Sequence, residues 1–165
     1  MPKARALWAF YVHFTKIWVN FGMHIIDLEN QTALEIDTDV LEKIACSLTN
    51  KEIELIITDN TSIAQLNAQY RGKNTPTDVL SFPIEPALQT MPLGSIVISE
   101  AFVKEKAREL GHSLNNELSL LFIHGLLHLL GFDHEVDSGE MREKEKEIIE
   151  AFQLPSSLII RNKEF

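Results

Sequence analysis

The feature that most constrains the fold is the stretch from Asn115 to Leu130, which is apolar on nearly every side when drawn as a helix. A surface helix keeps a polar face, whereas a helix that is apolar all round has to be covered by other elements. We therefore predict a buried helix at the centre of the domain. Gly131 predicts where it ends, because glycine readily adopts the left-handed backbone that terminates helices.

Shorter patterns predict the elements around this helix. Alternating and β-branched residues predict four strands, at 24–28, 51–58, 78–84 and 93–99. Helical spacing of apolar residues predicts four further helices, at 37–48, 61–70, 100–110 and about 138–152. Asp137 and Glu140 are spaced as a capping box for the last helix, and Pro83 indicates an edge strand or a strand end. The expected fold class is α+β, with the strand order left open.

The first 22 residues differ from the rest of the chain. They contain Lys3, Arg5 and Lys16 and both tryptophans but no acidic residue. The charges interrupt the apolar run, so the roughly 20 apolar residues of a membrane-spanning helix are not available. Three explanations remain open: a mis-assigned start with Met23 opening the domain, a targeting or membrane-surface segment, and a structural extension. We expect an extension at 1–22 and one domain at 23–165.

Composition limits the class of protein. The chain has 165 residues, 45% of them hydrophobic and 24% charged, as expected for a single globular domain. Its net charge of −9 makes it a poor bulk candidate for binding polyanions, so any interaction with nucleic acid must rest on local features. The single cysteine, Cys46, excludes an internal disulfide and fits a reducing compartment. We expect a cytoplasmic protein.

Three histidines form the candidate metal site: His124, His128 and His134. Residues four apart lie about 40° apart around a helix, so the first two rings can converge on one ion. The chain reversal at Gly131 can return His134 as the third ligand. Three such rings on a buried helix would otherwise need several buried partners, each costing about 1–3 kcal/mol if absent. The H-x3-H-x5-H spacing predicts one zinc ion with a coordination position left open for water.

The surrounding residues limit the chemistry. Zincin proteases carry the general-base glutamate directly after the first histidine, where this chain has Gly125. No other residue identifies itself as the base. Asp133, Glu135 and Asp137 are candidates to orient a ligand ring, or else they form a turn and helix caps.

The segment HGLLHLLGFDH resembles the signature of the YbeY family, metal-dependent endoribonucleases that act on single-stranded RNA in bacterial ribosomal RNA maturation. The likeness covers about Met23 to Phe152. Further matching positions are Leu66-Asn67, Tyr70-Arg71-Gly72-Lys73, Thr77 to Pro83, Leu93 to Ser99, Met141 and Glu145. The histidine block and the TDVLSFP block together are highly specific for this family.

The resemblance implies a small α+β domain with a mixed sheet, zinc on the three histidines and a functional arginine at Arg71. It also implies a single-strand-specific endoribonuclease that processes the 3′ end of small-subunit ribosomal RNA and acts in ribosome quality control. The implied partners are ribosomal RNA or a pre-ribosomal particle and a ribosomal protein or assembly GTPase, without stable membrane association. The guanidinium of Arg71 is suited to phosphate oxygens whatever the family. The sequence itself shows no aromatic platform for bases.

One position departs from the family pattern. Ser95 replaces the aspartate of the usual LGD, an acid that is often linked to partner docking, so the substitution puts partner recognition in doubt. Two other functions stay open: a metallopeptidase or small-molecule hydrolase that uses the same ion, and a non-catalytic assembly factor with structural zinc. A closed four-ligand site would favour the assembly factor.

Overall fold

The computed structural model describes residues 24–85, 88 and 90–155. The predicted extension at 1–22 lies outside these residues. The described part contains four strands and five helices. In chain order they are β1 (Ile26–Asn30), α1 (Thr38–Leu48), β2 (Ile53–Thr58), α2 (Asn60–Arg71), β3 (Val79–Pro83), β4 (Gly94–Ser99), α3 (Glu100–Leu110), α4 (Leu114–Leu129) and α5 (Glu140–Ala151). Each lies close to its predicted position at either end.

The four strands form one mixed sheet in the order β1-β2-β4-β3. β1 pairs with β2, and β2 with β4, in parallel, whereas β3 runs antiparallel to β4. β3 is therefore an edge strand, and Pro83 is its last residue. Both features agree with the prediction for Pro83, since proline donates no hydrogen bond to a neighbouring strand. The α+β class and the mixed sheet are confirmed.

Helix α4 lies at the centre of the domain, as its all-round apolar character predicts. It packs on one face of the sheet, in a cluster that includes fully buried side chains from β2 and β4. From the strands these are Ile53, Leu55, Ile57, Ile96 and Ile98, and from α4 Leu118, Leu120, Phe122, Ile123, Leu126 and Leu127. No helix in residues 24–155 that the structure describes is long and apolar enough to cross a membrane.

The opposite face of the sheet is covered by α2. Ile63 of α2, Leu80 of β3 and Val97 of β4 form a second, smaller buried cluster. Leu80 and Val97 are paired across the strands, and Val97 stands between Ile96 and Ile98, which point to the α4 side. Because successive strand residues point to opposite faces, α2 and α4 sandwich the sheet.

Candidate metal centre

The structure brings His124, His128 and His134 together. One ring nitrogen of each lies within 4.8 Å of the corresponding nitrogens of the other two. The three ring centroids are 4.9–5.1 Å apart. His124 is buried, and the other two rings are partly exposed, so the cluster opens to solvent on one side.

The reversal after α4 positions the third histidine. Gly131 has a φ of +95°, in the left-handed region that favours glycine. Its amide donates to the carbonyl of His128 at 3.0 Å, and the amide of Phe132 donates to the carbonyl of Leu127 at 3.0 Å. These two bonds are the Schellman pattern that ends a helix. The chain therefore folds back over the last turn of α4 and places His134 beside His124 and His128, as the spacing predicted.

The hydrogen bonding and protonation of the histidine rings are compatible with metal binding. Nδ1 of His134 is buried and has no hydrogen-bond partner among the described residues. Burial, and then the two neighbouring histidines, lower the pKa of His128 below its ordinary value. His128 therefore stays neutral to a lower pH than a free histidine, and neutral imidazole is the form that binds metals. A partly open set of three nitrogen donors is the donor chemistry of a catalytic zinc site.

A buried carboxylate lies against the first histidine. Nδ1 of His124 is 2.7 Å from Oε1 of Glu145 on α5. This contact was not predicted, because the residues are 21 positions apart and Glu145 stood out only as a match to the family. The sequence signal that could have revealed it is the helical spacing of Glu145 from Met141 and Ile148, which places this acid on the apolar side of the last helix.

The acids next to His134 have other partners. Asp133 accepts a hydrogen bond from the amide of Glu135 within the turn. Asp137 accepts from the amides of Met141 and Gly139, and these bonds lower the pKa of Asp137. Glu140 accepts from Ser138 rather than from Asp137, so the capping arrangement differs from the predicted box. These contacts favour the turn-and-cap explanation for Asp133 and Asp137.

At Gly125 the backbone of α4 lies close against the sheet. A Cβ atom built on it would lie 2.8 Å from Cγ2 of Ile96 and 3.1 Å from Oγ of Ser81. The hydroxyl of Ser81 donates to the Gly125 carbonyl at 3.0 Å. Any side chain at this position would force the helix or these neighbours to shift, which disfavours the glutamate that zincin proteases carry there.

Arg71 lies on a different element from the histidines. It is the last residue of α2, is exposed, and precedes Gly72, whose left-handed backbone ends the helix. Helix α2 packs on the opposite face of the sheet from α4, against the edge strand β3. The side-chain amide of Asn67 donates to the Thr75 carbonyl at 2.9 Å and so holds the following loop against α2. The three histidines thus come from α4 and the turn after it, whereas Arg71 comes from α2, beside the edge strand β3 on the other face of the sheet.

Tyr70, the neighbour of Arg71, forms an exposed aromatic surface. Its side chain is 60% exposed, and its ring meets that of Phe82 on β3 edge-on, with centroids 4.9 Å apart. This platform was not predicted from the sequence, because exposure cannot be read from residue type.

Comparison with known proteins decides the family. The family model described as Endoribonuclease YbeY matches residues 23–153. The chain belongs to this family. A relative named Endoribonuclease YbeY from Sulfurovum sp. is 64% identical, with 85% of this chain and 99% of the relative covered. One of the same name from Campylobacter jejuni is 56% identical, with 76% of this chain and 93% of the relative covered.

A solved structure supports the fold of this YbeY family member. The solution structure of TM1509 from Thermotoga maritima is similar with a TM-score of 0.53 and 31% sequence identity. The similarity covers 77% of this chain and 88% of that one.

Proposed function

We propose that this protein is a zinc-dependent endoribonuclease that hydrolyses phosphodiester bonds of single-stranded RNA. Its family and its relatives carry the name endoribonuclease, and we assign that activity to this chain, in ribosomal RNA maturation. The observation that carries the proposal is the meeting of His124, His128 and His134 in a partly open cluster. We place the activity in the cytoplasm, at the 3′ end of small-subunit ribosomal RNA and in ribosome quality control.

Zinc is the metal that these donors favour. His124, His128 and His134 would hold the ion through neutral ring nitrogens, which suit zinc better than the oxygen-preferring Mg²⁺ or Ca²⁺. A bound zinc ion supplies a lowered pKa for a water ligand and polarises a phosphoryl oxygen. A set of three protein ligands leaves a place for that water, and the crowding around Gly125 argues against a zincin peptidase.

Substrate contacts are assigned to the exposed end of α2. Arg71 would stabilise the charge that develops on the phosphoryl oxygens, because its guanidinium keeps its charge at any working pH. Lys73 is exposed two residues later and adds local positive charge to an acidic protein. The Tyr70 ring is largely exposed, and only an unpaired base can leave its stack to lie on such a ring. This supports single-stranded RNA as the substrate class.

We assign partner contacts to the surface around Ser95, where a carboxylate lies next to the serine. The Ser95 hydroxyl donates to Oε2 of Glu54 on the neighbouring strand β2. An acidic group therefore stands beside the position where the family usually has aspartate. We propose a pre-ribosomal particle as the larger partner, through a ribosomal protein or an assembly GTPase.

The test measures bound zinc and cleavage of a single-stranded RNA, with and without a chelator. We expect His124→Ala to lose both zinc and cleavage, and the exposed His24→Ala to keep both. Arg71→Ala should bind zinc normally and lower kcat by about 10²-fold or more, the usual effect of removing a group that stabilises transition-state charge. Arg108→Ala, which removes an exposed arginine of α3, is its control.

Contradictory outcomes point to specific alternatives. Cleavage by metal-free His124→Ala protein would disprove the mechanism, and wild-type rates for Arg71→Ala would remove Arg71 from it. Cleavage of peptides or esters with RNA left intact would indicate a different hydrolase. Tight zinc with four protein ligands and no cleavage would indicate a structural metal in an assembly factor.

A further inference from the structure

Glu145 is an unusual residue to find on the buried side of a helix. It is 1% exposed, and it lies on the same side of α5 as the buried residues Met141, Ile148 and Ile149. Removing a carboxylate from water is costly unless it is paired and hydrogen-bonded. An apolar residue here would continue the stripe that packs α5 against the core, so the fold alone gives no reason for a carboxylate.

The partner of Glu145 is a ring of the three-histidine cluster. Oε1 of Glu145 lies 2.7 Å from Nδ1 of His124, whose side chain is also buried. In a neutral imidazole one nitrogen carries a proton and the other an acceptor lone pair. A carboxylate at Nδ1 favours the form in which that nitrogen is protonated and donates to it. The lone pair then lies on Nε2, through which His124 would bind a metal.

We propose that Glu145 is the positioning residue of the metal centre, which fixes the ring form and the orientation of His124. The inference rests on the proposed zinc site. His124 and His128 come from α4 and His134 from the turn after it, so Glu145 is the contribution of α5 to the centre. Carboxylates that hold metal-binding histidines in this way orient the ring and raise its basicity, and replacing them typically weakens metal affinity about 10–100-fold.

The first experiment compares zinc dissociation constants, measured by competition with a chromophoric chelator, for wild type, Glu145→Gln and Glu150→Gln. Glutamine keeps the size of the side chain but removes the charge. We expect about 10–100-fold weaker zinc binding for Glu145→Gln. Glu150→Gln changes an exposed acid of the same helix and should match wild type. The unfolding transition of each metal-free protein is measured alongside.

These readouts separate positioning from packing. A purely structural role would lower the unfolding temperature of metal-free Glu145→Gln while its folded form kept the wild-type zinc affinity, and that result would overturn the proposal. So would equal zinc affinity together with equal stability.

A second experiment needs no substitution and so does not depend on the variant folding. In the zinc-loaded wild-type protein, long-range ¹H–¹⁵N NMR correlations of the histidine rings identify which nitrogen of His124 is protonated. We expect a proton on Nδ1 and metal on Nε2. A proton on Nε2 would refute the role of Glu145.

Failure of this inference differs from failure of the proposed function. If the wild-type protein binds no zinc, both the proposed function and the role of Glu145 are wrong. If the wild-type protein binds zinc but does not cleave RNA, and Glu145→Gln weakens the zinc binding, the proposed function is wrong and the role of Glu145 stands. If Glu145→Gln changes neither zinc binding nor RNA cleavage, only the inference about Glu145 is wrong.

Discussion

At the scale of single residues, Tyr70 shows how much of a site depends on exposure. Tyr70 directly precedes Arg71 in the sequence, and its ring packs edge-on against Phe82. Large aromatic side chains contribute most to stability when buried, yet Tyr70 leaves 60% of its surface in water. An exposed ring beside a phosphate-binding candidate is suited to stacking on a base.

We predict that Tyr70→Leu raises KM for single-stranded RNA by about 5- to 150-fold, because base–aromatic stacking contributes about 1–3 kcal/mol per base. Tyr70→Phe keeps the ring and should match wild type. Zinc content should be the same in all three proteins. Steady-state cleavage of a fluorescent single-stranded RNA gives the KM. An unchanged KM for Tyr70→Leu would exclude stacking at this position.

The same scale shows which site residues could be predicted from the sequence. The three histidines lie within eleven residues, so helix geometry and one glycine suffice to bring them together. The contact between His124 and Glu145 joins two helices, and the Tyr70–Phe82 contact joins a helix to a strand. Such contacts depend on tertiary packing, which no local period reveals.

At the scale of elements, local patterns predicted the helices and strands well, because the formation of each element depends mainly on residues that are close together in the sequence. The strand order β1-β2-β4-β3 could not be predicted, since the pairing of β2 with β4 joins Ile53 to Gly94 across a helix and another strand. The close approach of α4 to the sheet at Gly125 is also a tertiary feature. It determines where His124 and His128 stand relative to the edge of the sheet.

The variant Gly125→Ala tests how closely α4 lies against the sheet. Helix propensity predicts an increase in the free energy of unfolding, whereas packing predicts a decrease. Alanine in a helix interior is favoured over glycine by about 1 kcal/mol. Its Cβ would lie 2.8 Å from Cγ2 of Ile96, a branched and fully buried side chain that cannot easily move away. We expect a net loss of about 1–3 kcal/mol in the free energy of unfolding, the usual cost of overpacking a core.

Denaturant unfolding of the metal-free protein measures the effect of Gly125→Ala. A double variant with Ile96→Ala gives the matched control, because removing the clashing methyl group should reduce the penalty of the added one. A more stable Gly125→Ala protein would mean that α4 can shift away from the sheet at little cost.

At the scale of the whole molecule, the candidate metal centre joins parts of the chain that belong to different elements. His124 and His128 belong to the central helix, His134 to the reversal after it, and Glu145 to α5. An ion bound by these residues stabilises the folded state alone, provided that the unfolded chain binds it weakly. The net charge of −9 also favours cation binding in general, so specificity has to be tested against other ions.

We predict that zinc at 100 times its dissociation constant stabilises the wild-type protein by about 2.7 kcal/mol. For a chain of this size that raises Tm by about 5–10 °C. Mg²⁺ at the same concentration should have little effect, because the site offers nitrogen rather than oxygen ligands. Differential scanning calorimetry at several zinc concentrations gives the shift. His134→Ala removes one ligand that lies outside the helices, so its shift should be much smaller than that of wild type. An equal shift in His134→Ala would mean that zinc acts elsewhere on this acidic surface, and the three-histidine site would then lose its link to stability.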